Sequence, residues 1–156
     1  MPGPTRYIAA LAVALMLVGG CSAPAHKPDA AKPAAVKRDD TLYRALGAQA
    51  GIEKAVDAVL LEIHNDPHIN LFFANTDMPD LRRLLVEQFC AATGGPCEYT
   101  GRSMEEAHSG LNLTNADFDA FVEDLKASMN ELKVPQASQK KLIGMLAPMR
   151  PQIVGQ

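Results

Sequence analysis

Tryptophan is absent from the 156 residues, and aromatic side chains make up only 5%. Any core must therefore be built from Leu, Val, Ile and Ala. With 47% of the chain hydrophobic, there is enough of them for one domain. Basic clusters are lacking too. The formal net charge is −3, and from residue 41 onward acidic side chains outnumber basic ones. Affinity for phosphate backbones comes from clustered Lys and Arg, so a nucleic-acid partner is excluded. No stretch alternates apolar and polar residues for long enough to make a strand, and no internal repeat is present. The longest uncharged apolar run, residues 8–18, is too short to span a bilayer comfortably. Cysteine is scarce, at Cys21, Cys90 and Cys97.

That apolar run follows a single basic residue, Arg6, and leads into Gly19, Gly20 and Cys21. A charged start, a short apolar stretch and small residues at a cleavage point form a secretory signal over residues 1–20. Val18-Gly19-Gly20-Cys21 resembles the bacterial lipobox, with Val where Leu is usual. Cys21 is then expected to be lipidated and to become the mature N-terminus. Ser22 beside it favours sorting to the outer membrane. Residues 21–40 contain Ala, Pro, Lys and Asp without apolar periodicity, and they read as a disordered tether. The expected location is the periplasmic face of the envelope, with membrane contact through the lipid alone.

The remainder, residues 41–156, reads as helices. Ile52, Val56, Val59, Leu60 and Ile63 form a stripe at helical spacing over 49–64. Asp66-Pro67 ends it, because the residue before proline avoids the helical region. Leu81, Leu84, Leu85 and Phe89 repeat the pattern over 80–92, and Gly94-Gly95-Pro96 stops it. A short helical turn is expected at 103–108. Thr114 then caps a helix, with Asp117 completing a weak capping box. Phe118, Phe121, Val122, Leu125, Met129 and Leu132 form its apolar face, and Pro135 breaks it. Leu142, Leu146, Met149 and Ile153 stripe the last helix. The expected fold class is all-α.

Cys90 and Cys97 remain as an even pair in an exported domain, where disulfides persist. They bracket Ala-Ala-Thr-Gly-Gly-Pro, a turn that can bring them together. A structural disulfide there contributes roughly 2.5 kcal/mol on the chain-entropy view. A metal pair or a redox pair is the alternative, although no second Cys pair is available to complete a zinc site. Among the histidines, His26 lies in the tether. His64 and His68 read as surface residues, since Pro67 spoils the helix between them. His108 ends the segment Tyr99-Thr-Gly-Arg-Ser-Met-Glu-Glu-Ala-His108. By pattern alone a lone histidine in a helical domain is more often packing or surface than a ligand.

From Thr41 to about Val154 the chain resembles the group 1 truncated haemoglobins. The likeness rests on motifs in order. Thr41-Leu42-Tyr43 and Leu46-Gly47 come first, then Asp66-Pro67 and Phe72-Phe73, then Gly94-Gly95-Pro96. Tyr99-Thr100-Gly101-Arg102, Met104 with His108, Thr114 through Phe118, Val134-Pro135 and Pro148-Met149 follow. The resemblance implies a two-over-two helical sandwich with a shortened first helix. It also implies haem b, with His108 as the proximal iron ligand. A neutral imidazole on haem iron leaves the sixth position open for a diatomic gas. Phe73, Leu81, Leu85, Met104, Leu113 and Phe118 match positions that contact the haem.

The ligand side departs from that family. Its usual Tyr is replaced by Leu60, and its usual Gln by Leu85, with Leu81 one turn earlier. The expected distal pocket (Leu60, Leu81, Leu85) is aliphatic throughout. Gln88, one turn beyond Leu85, reads as solvent-facing. Ala48 stands where the family often has a second glycine after Gly47. Three function classes follow. One is a haem protein that reversibly binds oxygen, nitric oxide or carbon monoxide. Another is a nitric oxide dioxygenase or peroxidase-like enzyme, which needs a polar distal group that these leucines do not supply. The third is a haem-free globin scaffold for protein contacts. An envelope haem protein also leaves room for an unidentified redox partner.

Overall fold

Helix α2, Ala48–Asn65, is the axis on which the rest is built, because it packs against both α3 and α5. The computed structural model describes residues 38–156. The signal segment with Cys21, most of the tether and His26 lie outside the described residues. Along the chain come α1 (Thr41–Ala45), α2, a 3₁₀ turn (Asn70–Phe73), α3 (Met78–Ala92), α4 (Met104–His108), α5 (Asn115–Glu131), α6 (Gln136–Leu146) and a second 3₁₀ turn (Ala147–Gln152). No strand occurs among the described residues. The pairs α2–α3 and α5–α6 face each other through α2–α5 and α3–α6 contacts, which is the two-over-two arrangement.

The sequence stripes bury as spaced. Ile52, Val56, Val59 and Ile63 of α2 meet Phe89 of α3, Leu125 and Met129 of α5, and Leu142 of α6 in one aliphatic core. Each such side chain contributes about 1.5–3 kcal/mol by leaving water. Two details differ from the pattern. Leu132 is 39% exposed, because α5 has ended and the chain is already turning. Met149 and Ile153 do not continue α6, since Pro148 and Pro151 tighten the backbone into 3₁₀ geometry. Asp39 and Asp40, read from sequence as tether, already belong to the folded body. Asp40 precedes α1, and the Asp39 carbonyl lies so close to Gly94 that a Cβ there would stand 1.9 Å from it.

Helix ends explain the turns. Thr114 caps α5 with a full capping box through Asp117, and Ser103 does the same for α4 through Glu106. At the end of α3 the Gly95 N–H donates to Cys90 O and the Gly94 N–H to Ala91 O, with Gly94 at φ +88. Helix α5 ends in the same paired-bond motif, with Val134 N–H to Met129 O and Lys133 N–H to Asn130 O. There the left-handed residue is Lys133, at φ +57 and exposed. A non-glycine residue in that conformation costs about 1–2 kcal/mol. Lys133→Gly should therefore raise stability by about 1 kcal/mol in urea unfolding, with an unchanged denaturant slope. A loss of stability would show that the Lys133 side chain makes a contact worth more than the strain. Ala48 also takes a positive φ, +55, beside Gly47 at +92, so the family's glycine is missed in the backbone itself.

One electrostatic liability sits where α5 meets the end of α2. The Asp124 carboxyl is half-buried, and its Oδ2 is shut off from solvent with no hydrogen-bond partner. Desolvation, then the nearby Asp66 and Glu62 charges, push its pKa up to about 6. An unfolded Asp titrates near ~4. As pH rises through the window from about 4 to 6, the unfolded chain releases this proton before the folded one, so stability falls. Asp124→Asn should remove that fall. Screening at a half-buried site reduces the expected gain at pH 7 to about 1 kcal/mol. The check is thermal unfolding across the window, where equal slopes in wild type and variant would refute the assignment.

Candidate functional site

The half-burial of the α3 leucines has a local cause. Leu81, Leu84 and Leu85 do not close against another helix but face a cavity of about 480 Å³. Its floor is core, through Ile63, Phe89 and Leu146. Phe72 and Phe73 enter from the first 3₁₀ turn, which the sequence stripes do not announce. Across from α3 stand Met104 and His108 of α4, followed by Leu113 and Phe118. Met149 and Ile153 of the second 3₁₀ turn close the remaining side.

His108 is held for one purpose. Its Nδ1 lies 2.7 Å from the Met104 carbonyl, which can only accept, so Nδ1 carries the proton. Nε2 has no hydrogen-bond partner among the described residues, and in this tautomer of the neutral ring it is the nitrogen with the lone pair. The short helix that presents it is fixed at its start by the Ser103–Glu106 capping box. The Arg150 guanidinium lies 4.2 Å over the Phe118 ring and donates to Asn115 and Asp119, which ties the chain end across this wall. Backbone bonds from Asn112 N–H to Gln156 O and from Gly155 N–H to Leu113 O complete the tie.

At the mouth the chemistry changes. Asn75, Thr76 and Arg102 are exposed and line both the cavity and the open groove beside it. Arg102 and Asn75 offer hydrogen-bond donors there. Tyr99 also lines the cavity, and its hydroxyl donates to Arg102 O at 2.9 Å. Burial raises the Tyr99 pKa, so that hydroxyl stays protonated. No cluster of three His, Cys, Asp or Glu side chains able to hold a metal ion occurs among the described residues.

Most sequence-predicted site residues share this one cavity. Phe73, Leu81, Leu85, Met104, His108, Leu113 and Phe118 all line it. Leu60 does not. It is half-buried against the core, and the wall at that level is formed by Ile63, one turn later, and by Ile69. Gln88 corrects the sequence reading in the other direction. It lines the cavity instead of facing solvent, with its Nε2 donating to Met104 Sδ at 3.4 Å and Met149 Sδ at 3.6 Å. The signal was available, since positions 81, 85 and 88 fall on one helix face. His64 and His68 are exposed, and His68 Nε2 pairs with Asp117 at 2.9 Å. Cys90 and Cys97 form a disulfide, with Cα atoms 5.7 Å apart, that ties the end of α3 to the following loop.

Among the described residues, α-helices enclose an apolar cavity with one imidazole nitrogen left over, which is the arrangement of a globin. The family described as bacterial-like globin matches residues 41–154. The group 1 truncated hemoglobin of Tetrahymena pyriformis is 32% identical over 120 residues, covering 77% of this chain and 99% of that protein. The corresponding protein of Synechocystis sp. is 38% identical over 100 residues, covering 62% of this chain and 81% of its own. The crystal structure of the Tetrahymena pyriformis truncated hemoglobin in its Fe(III) form superposes with a TM-score of 0.72, at 32% identity, covering 74% of this chain and 98% of that one. The 2/2 hemoglobin of Synechococcus sp., solved in the cyanomet state, gives 0.69 at 30% identity, covering 74% and 98%. The chain belongs to the bacterial-like globins, among the truncated haemoglobins.

Haem is the cofactor of this family, and through its iron the family binds diatomic gases. The cavity fits that group on its own chemistry. The interior is apolar, the mouth offers donors for carboxylates, and His108 lines the cavity with its Nδ1 already satisfied and its Nε2 without a partner among the described residues. His108 would hold the iron, and Phe73, Leu113 and Phe118 would contact the ring.

Proposed function

We propose that this chain binds oxygen, nitric oxide or carbon monoxide reversibly at a haem iron held by His108, on an aliphatic ligand side. The observation that carries the reading is the cavity itself, lined by His108, whose Nδ1 is already paired, and by Leu81, Leu84 and Leu85. Haem supplies the gas affinity, and the protein decides which gas stays. His108 would hold the iron through Nε2, because the Met104 carbonyl takes the Nδ1 proton in a hydrogen bond and fixes the tautomer. The α3 leucines exclude water and donate no hydrogen bond. Dioxygen at a haem gains partial negative charge and benefits from a donor, whereas carbon monoxide gains little. This pocket should therefore favour carbon monoxide over oxygen more than donor-bearing pockets do.

The test is titration of the purified apo domain with haem, followed by absorption spectra under each gas. A globin-like Soret band at one equivalent that moves with added gas supports the proposal. A folded domain that takes up no haem overturns it and leaves the haem-free scaffold. Rapid turnover of nitric oxide with oxygen, or of peroxide, would replace it with the enzyme reading.

We also propose export by the signal at residues 1–20, followed by lipidation at Cys21. Residues 21–40 then act largely as a tether, and the globin domain stands at the periplasmic face of the envelope. The order of charge, apolar run and small residues before Cys21 supports this. Metabolic labelling with an alkyne fatty acid should mark the wild type and not Cys21→Ala. Equal labelling of the two would refute lipidation there.

A further inference from the structure

Gln88 is an oddity in this cavity. It places a carboxamide among leucines and thioethers, where an unpaired polar group costs about 1–3 kcal/mol. Among the described residues its N–H group bonds only to sulfur, Met104 Sδ at 3.4 Å and Met149 Sδ at 3.6 Å. Thioether sulfur is a weak acceptor, so the contact is not retained for strength. What it does is join three elements at one point. Gln88 is on α3, Met104 begins α4, and Met149 lies in the second 3₁₀ turn.

Met104 has a second task, because its carbonyl receives the His108 Nδ1–H at 2.7 Å. Helix α4 has five residues and none of them is buried. A helix so short has no stability of its own and takes its position from what touches it. The Gln88 amide touches its first residue, and that residue sets the orientation of its last.

We propose that Gln88 is a positioning residue for His108. Acting through Met104, it couples the ligand-side helix α3 to the imidazole that holds the iron. Leu81 and Leu85 on the same helix face would then sense, through Gln88, how tightly His108 is held. This rests on the haem-binding reading above.

The experiment uses the haem-loaded protein and three variants, Gln88→Met, Met104→Leu and the double replacement. Both single changes keep volume close to the original and leave every backbone carbonyl in place. The readouts are the ferrous iron–histidine stretching band by resonance Raman and the reduction potential. Gln88→Met and Met104→Leu should each shift the band in the same direction. The double variant should show no further shift, because the two residues act as one link. A band and potential unmoved by Gln88→Met, in a protein that still loads haem, would overturn the proposal. Additive shifts would overturn it as well. Wild-type protein without any iron–histidine band would instead count against the haem reading, so the two failures are distinct. If Gln88→Met does not fold, Gln88→Glu replaces it. The carboxylate cannot donate to sulfur, so the same shift is expected.

Discussion

Replacing His108 with alanine should lower haem affinity more than about 100-fold, beyond what loss of an outer partner costs a bound metal, while helix content stays unchanged. The histidine is the only imidazole lining the cavity among the described residues. His64 and His68 are exposed, and His68 is taken by Asp117. No substitute imidazole is therefore in position. The fold should survive because His108 is the last residue of α4 and only half-buried. The hydrophobic core lies elsewhere, between α2, α3, α5 and α6. Added imidazole should enter the space left by the side chain and recover the Soret band. The measurement is haem transfer to an acceptor globin, followed by far-ultraviolet circular dichroism. Unchanged haem transfer would mean that another group holds the iron. Lost helix content would mean that His108 serves the fold, and imidazole would then restore nothing.

How much of this was legible before the structure depends on which force sets each residue. Helices α2, α3 and α5 follow apolar spacing, and the Thr114 cap of α5 is local chemistry, so both could be read from the sequence. The 3₁₀ turn at Asn70–Phe73 could not, because four residues carry no period. His108 illustrates the limit of local reading. Nothing within the segment separates a ligand from a surface histidine until Met104 O is seen to satisfy one nitrogen. The motif order across the whole domain supplied what local pattern lacked. Gln88 was misread because polarity outweighed its place on the cavity face, and Leu60 because a position in a family motif does not fix which neighbour forms the wall. In both cases the deciding quantity is the direction of one side chain in a tertiary setting, and that is not encoded within a single turn.

That direction matters most at Leu85. Placing a donor there, as Leu85→Gln, should slow oxygen release about 10–100-fold, while carbon monoxide release changes less than about 3-fold. The range follows from a hydrogen bond to a partly charged acceptor, about 1.5–3 kcal/mol, at roughly 1.4 kcal/mol per factor of ten. Leu85 lines the cavity and lies half-buried on α3, so a glutamine of similar reach can turn its amide inward. Some stability will be lost, about 1–2 kcal/mol, since the amide is poorly hydrated whenever no gas is present. Leu61→Gln is the control, because Leu61 is 59% exposed on the outer side of α2. Stopped-flow displacement of each gas gives the rates. If Leu85→Gln slows both gases alike, its effect is steric and the charge argument fails. If the wild type already releases oxygen slowly, a donor reaches the gas without help. Gln88 would then be the first residue to replace, because its carboxamide already lies within the cavity and needs only to leave the two sulfurs.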